Sequence, residues 1–177
     1  MAKKGIIKNY GFAIAACIGV LAIVLFLVPM ITYHAEVTIL GAKAYNEVSF
    51  SGFNLLAGAK EIKGITYNTV TDKKTEYAFD GTVKAAAGVI ISFILGVLGV
   101  VAAVATKFVG KKFNKICKFV TCGLFVVAGA LLVILTKPTF VSANNIGENA
   151  AELYKLSFGA IVVAILDVGA GVVALLA

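Results

Sequence analysis

The residue of this sequence best placed to do chemistry is Asp167, the one acid inside "VAILDVGAG" (163–171), in the last apolar run and far from any basic residue. A carboxylate there could sit protonated in a hydrogen bond, meet a neighbouring helix, or hold a proton or cation. An ionised group at the centre of a bilayer costs about 2.5–3.5 kcal/mol even on lenient insertion scales, so a role has to be weighed for it. His34, beside Glu36, could sense pH near 6 or cap an interface. As the single histidine, it leaves little for a Ser/His or Cys/His pair. G-x-S-x-G, H-E-x-x-H and P-loop motifs are absent, and "GAGVVA" (169–174) meets the dinucleotide pattern without the strand and helix that would give it meaning. The expectation is that the chain is not an enzyme. Cys17, Cys117 and Cys122, scattered along apolar runs, lack metal-ligand spacing, so no metal or other cofactor is expected.

The elements that must position Asp167 follow from composition. Of 177 residues 60% are hydrophobic and 14% charged, with mean hydropathy +1.00, well outside soluble usage. Four runs are long enough to cross a bilayer core, which takes about 20 apolar residues in a helix: 11–32, 85–106, 117–136 and 156–177. The first is longer than a signal-peptide core of about 7–15 residues and lacks a small-x-small cleavage site, so it reads as a helix. The expected fold is mainly α: a four-transmembrane-helix bundle with a small antiparallel β-sheet in the first extracellular loop.

Lysine placement orients the bundle. Residues 1–10 carry Lys3, Lys4 and Lys8, and the connector 107–116 with the mouth of the third helix carries Lys107, Lys111, Lys112, Lys115 and Lys118, without one acid. By the positive-inside rule both ends of the chain are expected in the cytoplasm, in a multi-pass protein of the plasma (cytoplasmic) membrane. Lys107, Lys111, Lys112 and Lys115 would face anionic lipid. The segment 33–84 balances six lysines with six acids, and 137–155 balances two with two, as translocated loops do. The formal charge of +7 is thus a topology signal and calls for no nucleic acid. Every basic residue is Lys, so no guanidinium fork can grip phosphate or carboxylate.

The first loop is patterned for strands: "EVTIL" (36–40), "KAYNEVSF" (43–50), "GITYNTV" (64–70) and "TEYAF" (75–79), with a helical turn in "GFNLLAGAKEI" (52–62). Neither outer loop contains a cysteine, so packing must order them. The edges of such a sheet are either blunted by lysines or used to pair with another chain. Phe50, Phe53, Tyr67, Tyr77 and Phe79 mark the expected assembly surface.

This layout resembles that of claudin-like, tetraspan four-helix membrane proteins, with "SGFNLLAG" (51–58) near the place of their Gly-Leu-Trp-Cys-Cys signature. The chain has no Trp and no cysteine in that loop, so the signature and its disulfide are missing. It is also similar to small bacterial four-helix membrane proteins with a comparable "GF-x-L" step. The resemblance implies topology, and no residue roles.

In lipid, close approach of small residues replaces the hydrophobic drive, so small-residue stripes mark helix contacts. Ala85, Gly88, Ser92, Gly96, Gly99, Ala103 and Thr106 fall within about 80° on the second helix. Gly11, Ala15, Gly19 and Ala22 line the first, and Ala160, Ala164, Asp167, Gly171 and Ala174 the fourth. The third, rich in Val, Leu and Phe, reads as lipid-facing or loosely packed. Asp167 thus belongs to a helix contact near the bilayer centre, expected as a neutral acid bonded to Ser92 or to a backbone carbonyl. The functional expectation is a structural scaffold in the lipid bilayer. It would self-associate, or hold a membrane-protein partner, through sheet edges and small-residue faces. The alternative is a proton- or cation-coupled transport component built on Asp167.

Overall fold

The computed structural model describes residues 2–39, 42–79, 81–106, 108–109 and 113–177. In chain order they form α1 (Ala2–Val24), a 3-10 turn (Leu25–Leu27), β1 (Pro29–Ile39), β2 (Ala42–Ser51), α2 (Gly52–Ala57), β3 (Ile62–Asn68), β4 (Lys73–Phe79), α3 (Ala87–Ala105), α4 (Asn114–Ala143), α5 (Glu148–Ala151), β5 (Tyr154–Leu156) and α6 (Phe158–Leu176). The protein is mainly helical, and among the described residues four helices are long and apolar enough to cross a membrane.

The first helix ends earlier than the apolar run does. Val28 precedes Pro29, which favours extended backbone and offers no N–H to continue a helix. The chain accordingly tightens through Leu25–Leu27, Val28 turns extended (φ −79°, ψ 151°), and its N–H closes on Leu25 O at 3.0 Å. "PMIT", counted with the helix by apolarity, is strand. β1 runs eleven residues and pairs antiparallel with β2 along nearly its whole length. Ser51 then caps α2, its hydroxyl accepting from Asn54 N at 3.2 Å. At its end Gly58 takes φ +76°, with the Val83 carbonyl so close that a side chain would meet it. β3 and β4 form a hairpin whose turn is held by Asn68 Oδ1, which accepts from Val70 N and Thr71 N.

The sheet has five strands in the order β4-β3-β2-β1-β5, all antiparallel. The fifth, absent from the sequence reading, comes from the second loop and covers only Ile31–Tyr33 of β1. One face of the sheet rests on the helices. Phe50 packs against Phe140 (ring centroids 5.2 Å), Phe79 (6.0 Å) and Tyr154 (6.2 Å), so sheet and bundle share a core that runs on through Phe26, Met30, Ile31, Leu132 and Val163.

The bundle is a square in which α1 neighbours α3 and α6, and α4 neighbours α3 and α6. Here the third long helix departs from its expected role. α4 buries Thr121, Phe125, Ala128, Gly129, Leu132, Thr136 and Phe140, a stripe at three- and four-residue spacing, and is packed along its length. Its contribution is a large side chain where its neighbours offer none. The ring of Phe125 lies so close to Gly19 of α1 and Gly99 of α3 that a Cβ on either would stand 2.6 Å or 2.9 Å from it. The small-residue rule marked three walls of the bundle and missed the knob that fills them.

α4 is also longer than expected. Its 30 residues extend about 45 Å, against about 30 Å of hydrocarbon, and carry Phe140 up to the sheet. Pro138 inside it cannot donate to the Ile134 carbonyl. Around it the hydroxyls of Thr136 and Thr139 donate to the carbonyls of Leu132 and Leu135.

Removing the central ring should be costly. Phe125→Ala is expected to lower stability by about 3–5 kcal/mol, whereas the exposed Val127→Ala should change it by less than about 1 kcal/mol, as read in denaturing-detergent titrations. Equal losses would contradict the packing at the bundle centre.

Candidate functional site

Asp167 lies midway along α6 and is 4% exposed. Two glycines make room for it. Its Cβ would stand 3.3 Å from a Cβ on Gly129 of α4, and its Oδ1 lies 4.0 Å from where a Cβ on Gly96 of α3 would be, with no other atom that near. α3 and α6 sit on opposite corners of the square, so the carboxyl points across the bundle centre, one turn from the Phe125 ring toward the sheet. Gly171, a turn further along α6, packs on the Cys122 carbonyl and the Phe125 stem.

The expected partner does not pair with it. Ser92 is buried at 2% exposure, but its hydroxyl donates to Gly88 O of its own helix at 2.8 Å. A serine inside a helix finds the carbonyl four residues back without reorganising anything, and that local bond wins over a cross-bundle one. Among the described residues no side chain or backbone group hydrogen-bonds the Asp167 carboxyl. α1, α3 and the middle of α4 bring it no ionisable partner either: their polar residues at depth are Ser92, Thr121 and Thr136, besides the exposed Cys17 and half-buried Cys122. Thr121 Oγ1 is itself buried without a partner.

The expected helix-packing residues are placed as follows. Gly11, Ala15 and Gly19 of α1 are buried, as are Gly88, Gly96 and Gly99 of α3, and Ala160, Ala164 and Gly171 of α6. All are used within one chain: Gly11 meets Ala177, Gly88 meets the Leu135 backbone, and Gly19 and Gly99 meet Phe125. Sequence reasoning missed Phe125, Gly129 and Thr139. Thr139 Oγ1 accepts from Gly88 N at 3.1 Å, giving α3, which has no side-chain cap of its own, a capping acceptor from the neighbouring helix. No local signal announces such a cap.

The five aromatics of the expected assembly surface separate. Phe50 is fully buried between sheet and bundle, and so leaves that surface. Tyr77 and Phe79 are half-buried on the same face, and Phe53 is 40% exposed beside Phe26 and Phe93. Tyr67 lies on the opposite, solvent face, in a row with Tyr45 (centroids 5.0 Å) and His34, which is 5.1 Å from Tyr45. Lys115 is exposed at the start of α4, whereas Lys107, Lys111 and Lys112 lie outside the described residues. Between α4 and α6 an apolar trough of about 370 Å³ opens sideways, floored by Gly129 and Ala164 and walled by Val126, Val133, Ile161 and Ile165. Among the described residues no three His, Cys, Asp or Glu side chains gather as a metal would require.

Electrostatics outside the helices are local. Lys43 Nζ lies 2.9 Å from Glu36 across the β1–β2 hairpin, and this hydrogen bond and charge lower the Glu36 carboxyl and raise the Lys43 ammonium. The Tyr67 hydroxyl donates to Asp72, whose carboxylate raises the phenol. Burial, followed by the nearby Tyr33, raises the Tyr154 phenol. A phenol raised in the folded state adds stability that is fully present below the ordinary tyrosine value of about 10 and is lost as pH climbs through the folded value. The thermal midpoint should therefore fall between about pH 9 and pH 11, and fall less in Tyr154→Phe. Identical alkaline limbs in both proteins would exclude Tyr154 as their source.

The four spanning-length helices and the antiparallel sheet fit a tetraspan-like topology. No protein-family model matches this sequence, and no curated protein matches it either.

Proposed function

We propose that this chain is a structural, tetraspan-like scaffold of the plasma membrane, not an enzyme, with both termini in the cytoplasm and the sheet outside, and that it associates side by side with copies of itself. The lysine-rich, acid-free segments at 1–10 and 107–118 support the orientation. The observation that carries the function is the outer edge of the sheet: among the described residues β4 pairs with no strand but β3, so the backbone groups of alternate residues on its other side have no strand partner. Such an edge is a template for another strand. The small-residue faces of α1, α3 and α6 add less to this association than their pattern alone implied, because they are spent inside the chain.

A second reading rests on Asp167. A carboxyl buried at the bundle centre, without a hydrogen-bond partner among the described residues and with open space over Gly96, is placed to take up a proton or cation in a transport component.

Particles extracted in native lipid are expected to weigh two copies or more, and a strict monomer there and in mild detergent would remove the scaffold reading. Asp167→Asn should leave that mass unchanged. Were the same substitution to abolish a proton or cation flux into vesicles holding the purified protein, the second reading would replace the first.

A further inference from the structure

The edges of the sheet differ in what they offer a neighbour. On the β1 side, β5 covers Ile31–Tyr33 and His34 N donates to Leu153 O at 2.9 Å, so the start of that edge is already occupied. On the β4 side no described strand pairs with Lys73–Phe79, and only at its end does Gly81 N donate to Phe79 O at 3.0 Å. That strand reads Lys-Lys-Thr-Glu-Tyr-Ala-Phe, with Lys74 and Glu76 on the solvent face and Lys73, Thr75 and Tyr77 on the face toward the helices.

Its charges discriminate sharply among ways of pairing with itself. Directly opposed residues of an antiparallel pair share a face, and like charges opposed there are destabilising. A pairing centred on Lys74 sets lysine against lysine and Asp72 against Glu76. One centred on Glu76 sets glutamate against glutamate. Centred on Thr75, the pairing opposes Lys74 of each copy to Glu76 of the other, twice, and Lys73 to Tyr77. The Glu76 carboxylate already faces Lys63 of β3 at 3.3 Å and remains 69% exposed, so it would lie between a lysine of its own chain and one of the neighbour. Lysines on an edge usually prevent pairing. Here they oppose the registers centred on Lys74 and Glu76 and favour the one centred on Thr75, between them.

We propose that two copies of this chain join through their β4 strands, antiparallel and centred on Thr75, into one continuous sheet. This rests on the lateral association proposed above and names its surface. The two-fold axis stands perpendicular to the sheet, so both bundles emerge on the same face, as two copies in one bilayer must. They also have room. The two β1 strands, each continuing from its α1, would be seven strand spacings or about 34 Å apart, against about 20 Å for two helices abreast. A contact of this kind is isologous: it consumes both β4 edges and closes at two copies, where a head-to-tail contact would grow.

The test is a cross-link at the axis. With Cys17, Cys117 and Cys122 replaced by Ala, Thr75→Cys puts two thiols opposite each other at Cα separations of about 4.5–5.5 Å, within disulfide reach. Mild oxidation in native membranes should then give a covalent dimer, and Thr38→Cys on β1 should not. Glu76→Lys should weaken the dimer by roughly tenfold, as should Lys74→Glu, while the two together restore it. Recovery in the double variant shows that neither single change acted by unfolding the hairpin. If native-lipid particles weigh two copies or more but Thr75→Cys does not cross-link, or the double variant stays weak, this pairing is wrong and the scaffold reading survives. If the particles are monomeric, both fall.

Discussion

The packing of Phe125 at the centre of the bundle is the constraint on which the rest of the structure depends. Lipid tails are as apolar as leucine, so helices gain nothing by hiding apolar surface from one another and must hold together by close contact. Gly19 and Gly99 leave a hollow at the middle of the square, and the Phe125 ring fills it. Filling the hollow draws α1, α3 and α4 to one level. It also brings α6 in, because Gly171 packs on the Phe125 stem.

Asp167 takes its meaning from that layer. It stands one turn from the ring, where Gly96 and Gly129 leave the only polar side chain of mid-α6 with space beside it. On α4 it faces Gly129, which has no side chain to offer, and Ser92 is committed to its own helix. The site is thus set less by what touches the carboxyl than by what its neighbours lack. Such an arrangement tolerates a neutral acid as a packing element, and the transport reading alone leads back to this residue.

The sheet is an extension of the same core. β1 begins two residues after the 3-10 turn that ends α1, α4 is long enough to place Phe140 under Phe50, and the second loop returns a short strand to β1. Asn144 adds a polar tie, accepting from Lys84 N at 2.7 Å, so the link from β4 into α3 is fastened to the end of α4. With one edge partly covered and one face packed on the bundle, the sheet keeps an edge without a strand partner at β4 among the described residues.

The four apolar runs, the small-residue stripes on three of them and the alternation in the first loop are written into the sequence, because composition and periodicity are local properties that lipid and a half-buried sheet each reward. The isolated acid of the last run could be picked out in the same way. Its lack of a partner could not, since that depended on Ser92 choosing Gly88 and on which glycines faced it. The packing of α4 was hidden because a large knob looks lipid-facing until its hollow is known. β5 was hidden because three residues carry no period and become a strand only when β1 is there to pair with them. The end of α1 was legible in Pro29, yet hydropathy reads an apolar strand and an apolar helix alike. The sequence by itself thus determined which segments seek lipid and which seek a sheet; only the tertiary structure decided which side chains meet, because contacts between distant segments depend on shape and depth, which no single stretch of sequence encodes.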